Sequence, residues 1–495
     1  MNKYTYRILT AAVVIALSWG ISAEAKGSVT KTATDPVITK QALSAQMKQT
    51  SENKNINFNN MLLQKNLSDS LGDVISPESS SLDIDLKGAV STAIQNNRDI
   101  TIADLKRKQA ESDIRKAAAA KNPQLSYSWE GSQFKTQVVS ATTGKIDNRS
   151  YSQGINVSLP LWTGGNVEGL INEARYAKNI SDLAYYKTEA DTKLSAVTAY
   201  YQYLEAIKLA EVQSQSVKDY ADHLKNVQQQ FDAGIVAKLD VLTSNVSLAN
   251  AKKASISADN ARDLAEANLN NIMRIGMNTK LNPVDKDFPE PDFDLTMDQA
   301  IAAAQKYRWE LVQADYNVRV AKEELRVARS GYMPTVAVGG GYSWKEPGIS
   351  KVDKDDWAAQ ATVSWKLWDG GATDAAIKKA NEGIRIANEQ LLQARESVEL
   401  EVRQDYLNVL SYREQIRAAE ASVAQAEEAY KIATVRYQSG VGINLDVLDA
   451  ELQLNTARTN YITALYNYNI GLATLEHAMG IPAVIRPEII NEDKK

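Results

Sequence analysis

Apolar residues recur at every third or fourth position through two very long stretches of the chain. The first stretch follows Gly165 and continues to Phe231, and the second follows Gly371 and continues to Tyr437. This spacing predicts amphipathic helices with a single apolar stripe, as in coiled coils. At 1.5 Å per residue, each helix would be a rod on the order of 100 Å long. A rod so thin has no core of its own, so its stripe must be buried against other rods.

Before each rod the period changes to two, because apolar and polar residues alternate there. Alternation of this kind predicts β-strands. The predicted strands cover residues 124–135, 151–161, 336–344 and 357–367. A helix is predicted ahead of each strand pair, over residues 86–121 in the first half and 296–331 in the second, and each stops at a proline.

These elements belong to one unit that occurs twice. Trp162-Thr163-Gly164-Gly165 reappears as Trp368-Asp369-Gly370-Gly371, and Leu239-Asp240-Val241-Leu242 reappears as Leu445-Asp446-Val447-Leu448, each 206 positions later. A register held without a gap across more than a hundred residues indicates that the spacing itself is structural. We therefore expect a first repeat over residues 81–285 and a second over residues 286–485.

Glycines mark both ends of the predicted rods. The pairs Gly164-Gly165 and Gly370-Gly371 are expected to let the chain bend from strand into rod. At the far ends, Gly234-Ile235-Val236-Ala237 and Ser439-Gly440-Val441 are expected to form turns, after which a second helix returns antiparallel to the rod.

The N-terminal segment of the chain has the pattern of an export signal. Lys3 and Arg7 precede an apolar run of 14 residues, and Ala23-Glu24-Ala25 has the small residues of a cleavage site. This pattern is typical of a secretory signal peptide over residues 1–25, with an uncleaved anchor helix as the alternative. Residues 26–80 are polar and are expected to be disordered. Residues 486–495 form a polar tail.

The composition argues against an enzyme. The chain of 495 residues has no cysteine, a net charge of −5 and only two histidines, His223 and His477. Thiolate chemistry, a histidine-based metal cluster and a conventional catalytic triad are therefore not expected. Phosphate-binding glycine motifs are missing, and the charge gives no sign of nucleic-acid binding. We expect no enzymatic activity, no cofactor and no metal, with both histidines structural or solvated.

Aromatic residues surround the predicted strands. Six of the eight tryptophans lie in or beside them: Trp129, Trp162, Trp344, Trp357, Trp365 and Trp368. Such an aromatic belt around short alternating segments is typical of a transmembrane β-barrel, which must close on itself in a bilayer. Four strands close only if several copies contribute; two copies would give eight strands and three would give twelve, enough to leave a lumen. The alternative is a soluble sheet with the tryptophans in its core.

In this order, the features resemble the TolC-type outer-membrane efflux proteins over about residues 82–482. The likeness includes the signal peptide, the duplicated halves, the Leu-Trp-x-Gly-Gly motif before each rod, Arg98 and Arg308 in the first helices, and the Leu-Asp-Val-Leu segments at the rod tips. The resemblance implies a mostly α fold with a long coiled-coil α-barrel. It also implies a homotrimer whose copies give four strands each to a twelve-stranded outer-membrane β-barrel.

The function implied by this resemblance is that of a passive exit duct. It would be the outer-membrane channel of a tripartite efflux or type I secretion system, with a periplasmic extension that meets a periplasmic adaptor (membrane fusion protein) and an inner-membrane pump. The alternative is a periplasmic coiled-coil scaffold or pump adaptor, which would share the rods without needing the strands. The cargo and the class of pump do not follow from the sequence.

Site residues also follow from the resemblance. Asp446 and Asp449 would ring the narrowest point of the pore entrance and favour cations, Tyr437 would lie at the mobile hairpin, and the two turn segments would meet the adaptor. The alternative for Asp446 is a helix N-terminal carboxylate that faces the helix dipole, a role that its repeat partner Asp240 fits equally well.

One position departs from the family pattern. Gly442 stands where the well-known member of the family has an arginine that helps to hold the entrance shut. The salt bridge that this arginine forms between the helical hairpins cannot form here in the same way. Lys238 and Arg436 are the candidates to replace the arginine.

Overall fold

A computed structural model of the chain describes residues 81–139, 146–285, 287–346 and 354–481. The predictions of a signal peptide, a disordered N-terminal segment and a polar C-terminal tail fall outside these residues. The described part is mostly helical, as the sequence predicts.

The same order of elements occurs in both halves. The first half contains β1 (Ser81–Ile84), α1 (Leu86–Asn96), α2 (Arg98–Ala119), β2 (Gln124–Val139), β3 (Ile146–Trp162), α3 (Asn166–Asp232) and α4 (Lys238–Met273). The second half begins with β4 (Lys280–Pro283), a few residues before the expected boundary at residue 285, and continues with α5 (Met297–Tyr307), α6 (Trp309–Arg329), β5 (Thr335–Glu346), β6 (Lys354–Ser364), α7 (Ala372–Gln438) and α8 (Asn444–Ala478). The two rods, α3 and α7, each have 67 residues.

The single helices predicted over residues 86–121 and 296–331 are wrong, because each is broken by one extended residue. Asn97 separates α1 from α2 and accepts backbone hydrogen bonds from Asp99 at 2.6 Å and Ile100 at 3.4 Å, which caps the second helix. Arg308 separates α5 from α6. Arg308 stands at the position in the second half that Asn97 occupies in the first. Arg98 is exposed and is therefore not the structural counterpart of Arg308.

Arg308 fixes the second break through three different partners. Its guanidinium donates to both carboxylate oxygens of Glu401 at 3.0 and 2.7 Å, to Glu310 at 2.8 Å and to the carbonyl oxygen of His477 at 3.2 Å. Only 7% of the Arg308 surface is exposed. One buried side chain therefore ties the start of α6 to the rod α7 and to the end of α8.

The larger sheet is antiparallel, in the order β2-β3-β5-β6. Strand β6 ends at Ser364, so the strand predicted to continue to residue 367 is too long. Its partner β5 begins at Thr335, directly after a proline that has no backbone N–H to donate. The Trp365 indole instead donates to the carbonyl oxygen of Tyr332 at 3.0 Å. A second sheet, the parallel pair β1 and β4, was not predicted.

The four-stranded sheet has one apolar face and one polar face. Tyr127, Ile155, Tyr342 and Trp357 lie opposite one another across the four strands and are all exposed. The neighbouring row, on the other face, consists of Ser126, Asn156, Gly341 and Ala358. Within the described residues no helix covers the apolar row, so large aromatic side chains are left in contact with solvent.

The long helices form one layer. Helix α4 packs on α3, α3 packs on α8 and α8 packs on α7. Two apolar cores lie near the level of α1 and α5, one around Tyr200, Leu204 and Leu269 and the other around Val402 and Leu475. Across the described segments, no helix is both long and apolar enough to cross a membrane.

The glycine pairs lie at the starts of the two rods. Gly164 and Gly165 have φ values of 66° and 90°, and Gly370 and Gly371 have values of 72° and 90°. Residues with a Cβ rarely adopt this left-handed conformation, which lets the chain turn into α3 and α7.

Candidate functional site at the helix tips

The two helical hairpins end in turns of the same geometry. Gly234 and Gly440 have φ values of 76° and 75°. In each turn, the residue after the glycine donates to a carbonyl oxygen five positions earlier: Ile235 to Gln230 at 2.9 Å and Val441 to Arg436 at 3.0 Å. This is the Schellman arrangement, which satisfies the last carbonyl groups of α3 and α7. Ile235 and Val441 are left projecting, with 69% of each exposed.

An apolar cluster joins the hairpins directly behind the turns. Val227 and Val241 of the first hairpin pack with Tyr437 and Val447 of the second. The Tyr437 side chain is buried, and its ring centroid lies 5.1 Å from that of His223. Tyr437 therefore sits between the hairpins, and its hydroxyl has no hydrogen-bond partner among the described residues.

Asn444, the first residue of α8, bonds to both helices of the other hairpin. Its amide nitrogen donates to the Asp240 carbonyl oxygen at 3.3 Å and to the Thr243 hydroxyl at 3.1 Å. Its oxygen accepts from the Ser244 hydroxyl at 3.1 Å and lies 2.6 Å from Nε2 of His223. His223 is therefore structural, one of the two roles expected for it.

Farther from the turns, polar contacts continue between α3 and α8. The Ser216 hydroxyl donates to Glu451 at 2.9 Å, and Gln213 and Asn455 exchange hydrogen bonds at 3.1 and 3.2 Å. We call the set formed by Gln213, Ser216, His223, Asn444, Glu451 and Asn455 the polar seam. Its α8 members recur at helical spacing within an apolar stripe.

Burial controls the ionisation of two groups in the polar seam. It raises the pKa of Glu451 to about 7, against a partial lowering by the Ser216 hydroxyl. It also lowers the pKa of His223, which the hydrogen bond to Asn444 offsets in part. Both side chains therefore favour their uncharged forms when the hairpins are joined.

Asp446 and Asp449 are both exposed in the first turns of α8. One chain alone does not bring them into a ring, so their role at a pore entrance stays a prediction. The position of Asp446 also fits a carboxylate at the positive end of the helix dipole. The ion pairs formed within the described part of the chain include neither Lys238 nor Arg436, so their proposed role in closing the entrance also stays a prediction.

The repeated architecture agrees with the comparison to known families. The model of the family described as "Outer membrane efflux protein" matches residues 89–273 and 300–481. The chain belongs to this family. The match confirms the resemblance expected from the sequence, together with the transport class and the outer-membrane location that the family name carries. It gives no support to the alternative of a periplasmic scaffold or adaptor.

Individual relatives agree with this assignment. The outer membrane protein TolC of Escherichia coli K12 is 26% identical over 329 residues, which span 61% of this chain and 64% of that protein, just under two thirds of its length. The alkaline protease secretion protein AprF of Pseudomonas aeruginosa is 24% identical over 383 residues, or 73% of this chain and 77% of that protein. The CmeC outer membrane channel of Campylobacter jejuni superposes with a TM-score of 0.70 at 18% identity, over 83% of this chain and 89% of that one, which shows the fold.

Proposed function

We propose that the chain is the outer-membrane channel of a tripartite efflux or type I secretion system. It would act as a passive duct that spans the outer membrane and the periplasm and is gated at its periplasmic tip. One observation carries this proposal. Within the described residues, the four-stranded sheet and the layer of long helices each have two unpaired edges, and in both the first half of the chain forms one edge and the second half forms the other. The signal peptide over residues 1–25 and the repeats over residues 81–285 and 286–485 are part of the proposal.

The open edges support assembly into a ring. Within the described residues, β2 and β6 each pair on one side only, and α4 and α7 are the outer helices near the tips. In both layers the first half supplies one edge and the second half supplies the other. Head-to-tail contact between such unlike edges generates a closed ring when the rotation between copies closes. Three copies would close a twelve-stranded barrel with a lumen.

Apolar residues on the outer helices support the same arrangement. Exposed side chains on α4 and α7 include Leu242, Val246, Ile256, Leu264, Ile386, Leu392, Leu400 and Leu407. Large apolar side chains exposed at several points along a helix of an isolated chain indicate a contact surface. We infer that α7 of one copy packs against α4 of the next, so that the rods become a hollow α-barrel in a homotrimer.

The two faces of the sheet support a membrane location. In a closed barrel, the apolar row of Tyr127, Ile155, Tyr342 and Trp357 would face lipid, and the polar row would face the lumen. The tryptophans assigned to the aromatic belt fit this scheme, since Trp357 is 78% exposed and Trp368 is 87% exposed in the isolated chain. Their indole groups would lie at the membrane interfaces.

The turns at the tips fit a docking role. The exposed Ile235 and Val441 present apolar side chains of the kind that a periplasmic adaptor would cover, and the adaptor would in turn recruit an inner-membrane pump. The energy for transport would come from that pump. Relatives of the chain include proteins named for cation efflux and for alkaline protease secretion, so the proposal includes both classes of cargo.

Membrane fractionation followed by conductance measurements tests the proposed function. We expect the protein in the outer-membrane fraction, soluble only in detergent, and we expect discrete conductance steps after its addition to a planar bilayer. Recovery of a water-soluble monomer that neither inserts nor conducts would refute the proposal.

The predicted entrance ring can be tested by ion selectivity. The double variant Asp446→Asn, Asp449→Asn is expected to reduce the cation-to-anion permeability ratio by a factor of roughly 2 to 10, because it removes like charges gathered around a narrow lumen. The measurement is the reversal potential of single channels under a salt gradient. Asp240→Asn changes the repeat partner of Asp446 and is expected to leave the ratio unchanged. Unaltered selectivity in the double variant would remove Asp446 and Asp449 from the entrance.

A further inference from the structure

The polar seam contains two ionisable side chains that are both almost completely buried. Glu451 is 3% exposed and His223 is 5% exposed. One oxygen of Glu451 accepts from Ser216, while the other is buried and has no hydrogen-bond partner within the described residues. A carboxylate with one buried, unsatisfied oxygen is costly, whereas a neutral carboxyl carries a much smaller penalty.

Burial favours the neutral form of His223, and the contacts of Asn444 determine which ring nitrogen carries the proton. The amide nitrogen of Asn444 donates to Asp240 and Thr243, which fixes the orientation of the amide and turns its oxygen towards His223. Nε2 of His223 must therefore carry the proton and donate it to that oxygen. The ring of Tyr437 on α7 packs against the same imidazole at a tilt of 59° and offers no negative charge to stabilise its protonated form.

The surrounding helices do little to compensate a charge on Glu451. On α3, Asp219 disfavours the ionised form, and Tyr220 also lies near the carboxyl. On α7, Tyr430 is the titratable neighbour, and Glu427 holds the guanidinium of Arg458 at 2.8 Å. Arg458, on α8 itself, is the cation that favours ionisation of Glu451, but burial outweighs its effect.

We propose that the polar seam is a proton-sensitive latch between the two hairpins, in which Glu451 and His223 respond to pH in opposite directions. The hairpins are held together while both side chains are uncharged, and ionisation of either one favours their separation. As a control on the opening of the tip, the latch rests on the proposed function. The contacts that form it lie within a single chain.

The direction of each response follows from proton linkage. When the hairpins separate, the Glu451 carboxyl returns to water and to its ordinary pKa of 4.5, compared with about 7 in the seam. Rising pH therefore favours separation from pH 4.5 up to about pH 7 and has no further effect above it. The pKa of His223 is lowered in the seam from an ordinary 6.5, so falling pH favours separation below pH 6.5. Where the two ranges overlap, the two effects oppose each other.

This opposition predicts single variants with responses of opposite sign. His223→Gln keeps an amide donor for Asn444 and leaves only Glu451 to titrate, so separation is expected to increase as pH rises. The ratio of joined to separated hairpins should fall by at most roughly 300-fold between pH 4.5 and 7. Glu451→Gln leaves only His223 to titrate, so separation is expected to increase as pH falls below 6.5. The wild-type chain should respond less than His223→Gln between pH 5 and 6.5, because the response of His223 opposes that of Glu451 there.

The distance between the turns provides the measurement. Because the chain has no cysteine, Ile235→Cys and Val441→Cys introduce the only thiols, and both sites are exposed. Pulsed electron paramagnetic resonance then measures the distance between spin labels on these two thiols, and so the separation of the hairpins, at pH 5, 6, 7 and 8. Dilution with excess cysteine-free chains keeps the measured distance within one chain.

Two further variants separate the latch from a general effect on packing. Glu428→Gln neutralises an exposed carboxylate on α7 and is expected to leave the pH response of the wild type unchanged. Ser216→Ala in the His223→Gln background removes the donor that favours ionised Glu451, so the midpoint of the response should move to higher pH. This double variant keeps Glu451 in place and remains informative if Glu451→Gln does not fold.

The outcomes distinguish the latch from the proposed function. Responses of the same sign in His223→Gln and Glu451→Gln, or no response in either, would overturn the latch. Conductance of the same preparations reports the channel independently. Opposite responses without conductance would leave the latch in place and refute the proposed function, whereas conductance without opposite responses would refute only the latch.

Discussion

Replacement of Gly164 by alanine is expected to destabilise the folded chain by about 2–5 kcal/mol. The φ value of 66° costs a residue with a Cβ about 1–2 kcal/mol. A Cβ at this position would also lie 2.6 Å from Cβ of Met333 and 3.1 Å from the carbonyl oxygen of Ser330. These atoms belong to the short turn that leads into β5, so relief of the clash requires movement of backbone, which adds about 1–3 kcal/mol.

The duplication supplies a matched control for this variant. Gly370 is the repeat partner of Gly164 and has a similar φ of 72°, but a Cβ there would meet no atom within 4 Å. Gly370→Ala is therefore expected to cost only the conformational term of about 1–2 kcal/mol. Thermal unfolding of the detergent-solubilised protein, followed by circular dichroism, compares the two variants. Equal losses would show that the contact with Met333 and Ser330 adds nothing.

The order and lengths of the long helices are predictable because the same local sequence signals occur in both halves of the chain. The period of three to four residues defines the rods, and the fixed offset of 206 aligns Gly165 with Gly371 and Asp240 with Asp446. Both rods have the predicted extent to within two residues at their far ends, Asp232 and Gln438. Gly234 and Gly440 follow closely, in the conformation that a helix-ending glycine requires.

The helix breaks at Asn97 and Arg308 could not be predicted in the same way. Neither position has a proline or glycine, and the apolar period continues across both. Asn97 does carry a local signal, since asparagine is a favoured N-cap residue. Arg308 carries none, because its extended backbone is fixed by Glu401 and by the carbonyl group of His477, which lie 93 and 169 positions away.

The polar seam was also missed, for a related reason. His223 and Asn444 are 221 positions apart, and Ser216 and Glu451 are 235 positions apart. The available signal was the recurrence of polar residues at positions 444, 451 and 455, where the helical period calls for apolar ones. Pairing them with α3 requires knowledge that α3 and α8 are neighbours, which no local pattern contains.

Removal of the Arg308 side chain is expected to have the second large effect. Arg308→Ala leaves Glu401, Glu310 and the His477 carbonyl group without their shared donor. Loss of one partner from a fully buried ion pair costs about 3–5 kcal/mol. Because the Glu401 side chain is 41% exposed, solvent compensates part of this, and we expect a loss of about 2–4 kcal/mol. Arg98→Ala, at an exposed arginine beside the equivalent break, should change stability by about 0.5 kcal/mol or less.

The loss in Arg308→Ala should also depend on pH, because Asp405 lies in the same group of charges. Burial and the neighbouring Glu401 raise the pKa of Asp405 to about 6, while Arg308 acts to lower it. A carboxyl with a raised folded-state pKa destabilises the fold as pH rises from the ordinary 3.8 through about 6. Without Arg308 that pKa rises further, so the decrease in melting temperature relative to wild type should be larger at pH 8 than at pH 5. A decrease independent of pH would show that Arg308 acts through packing and hydrogen-bond geometry rather than through its charge.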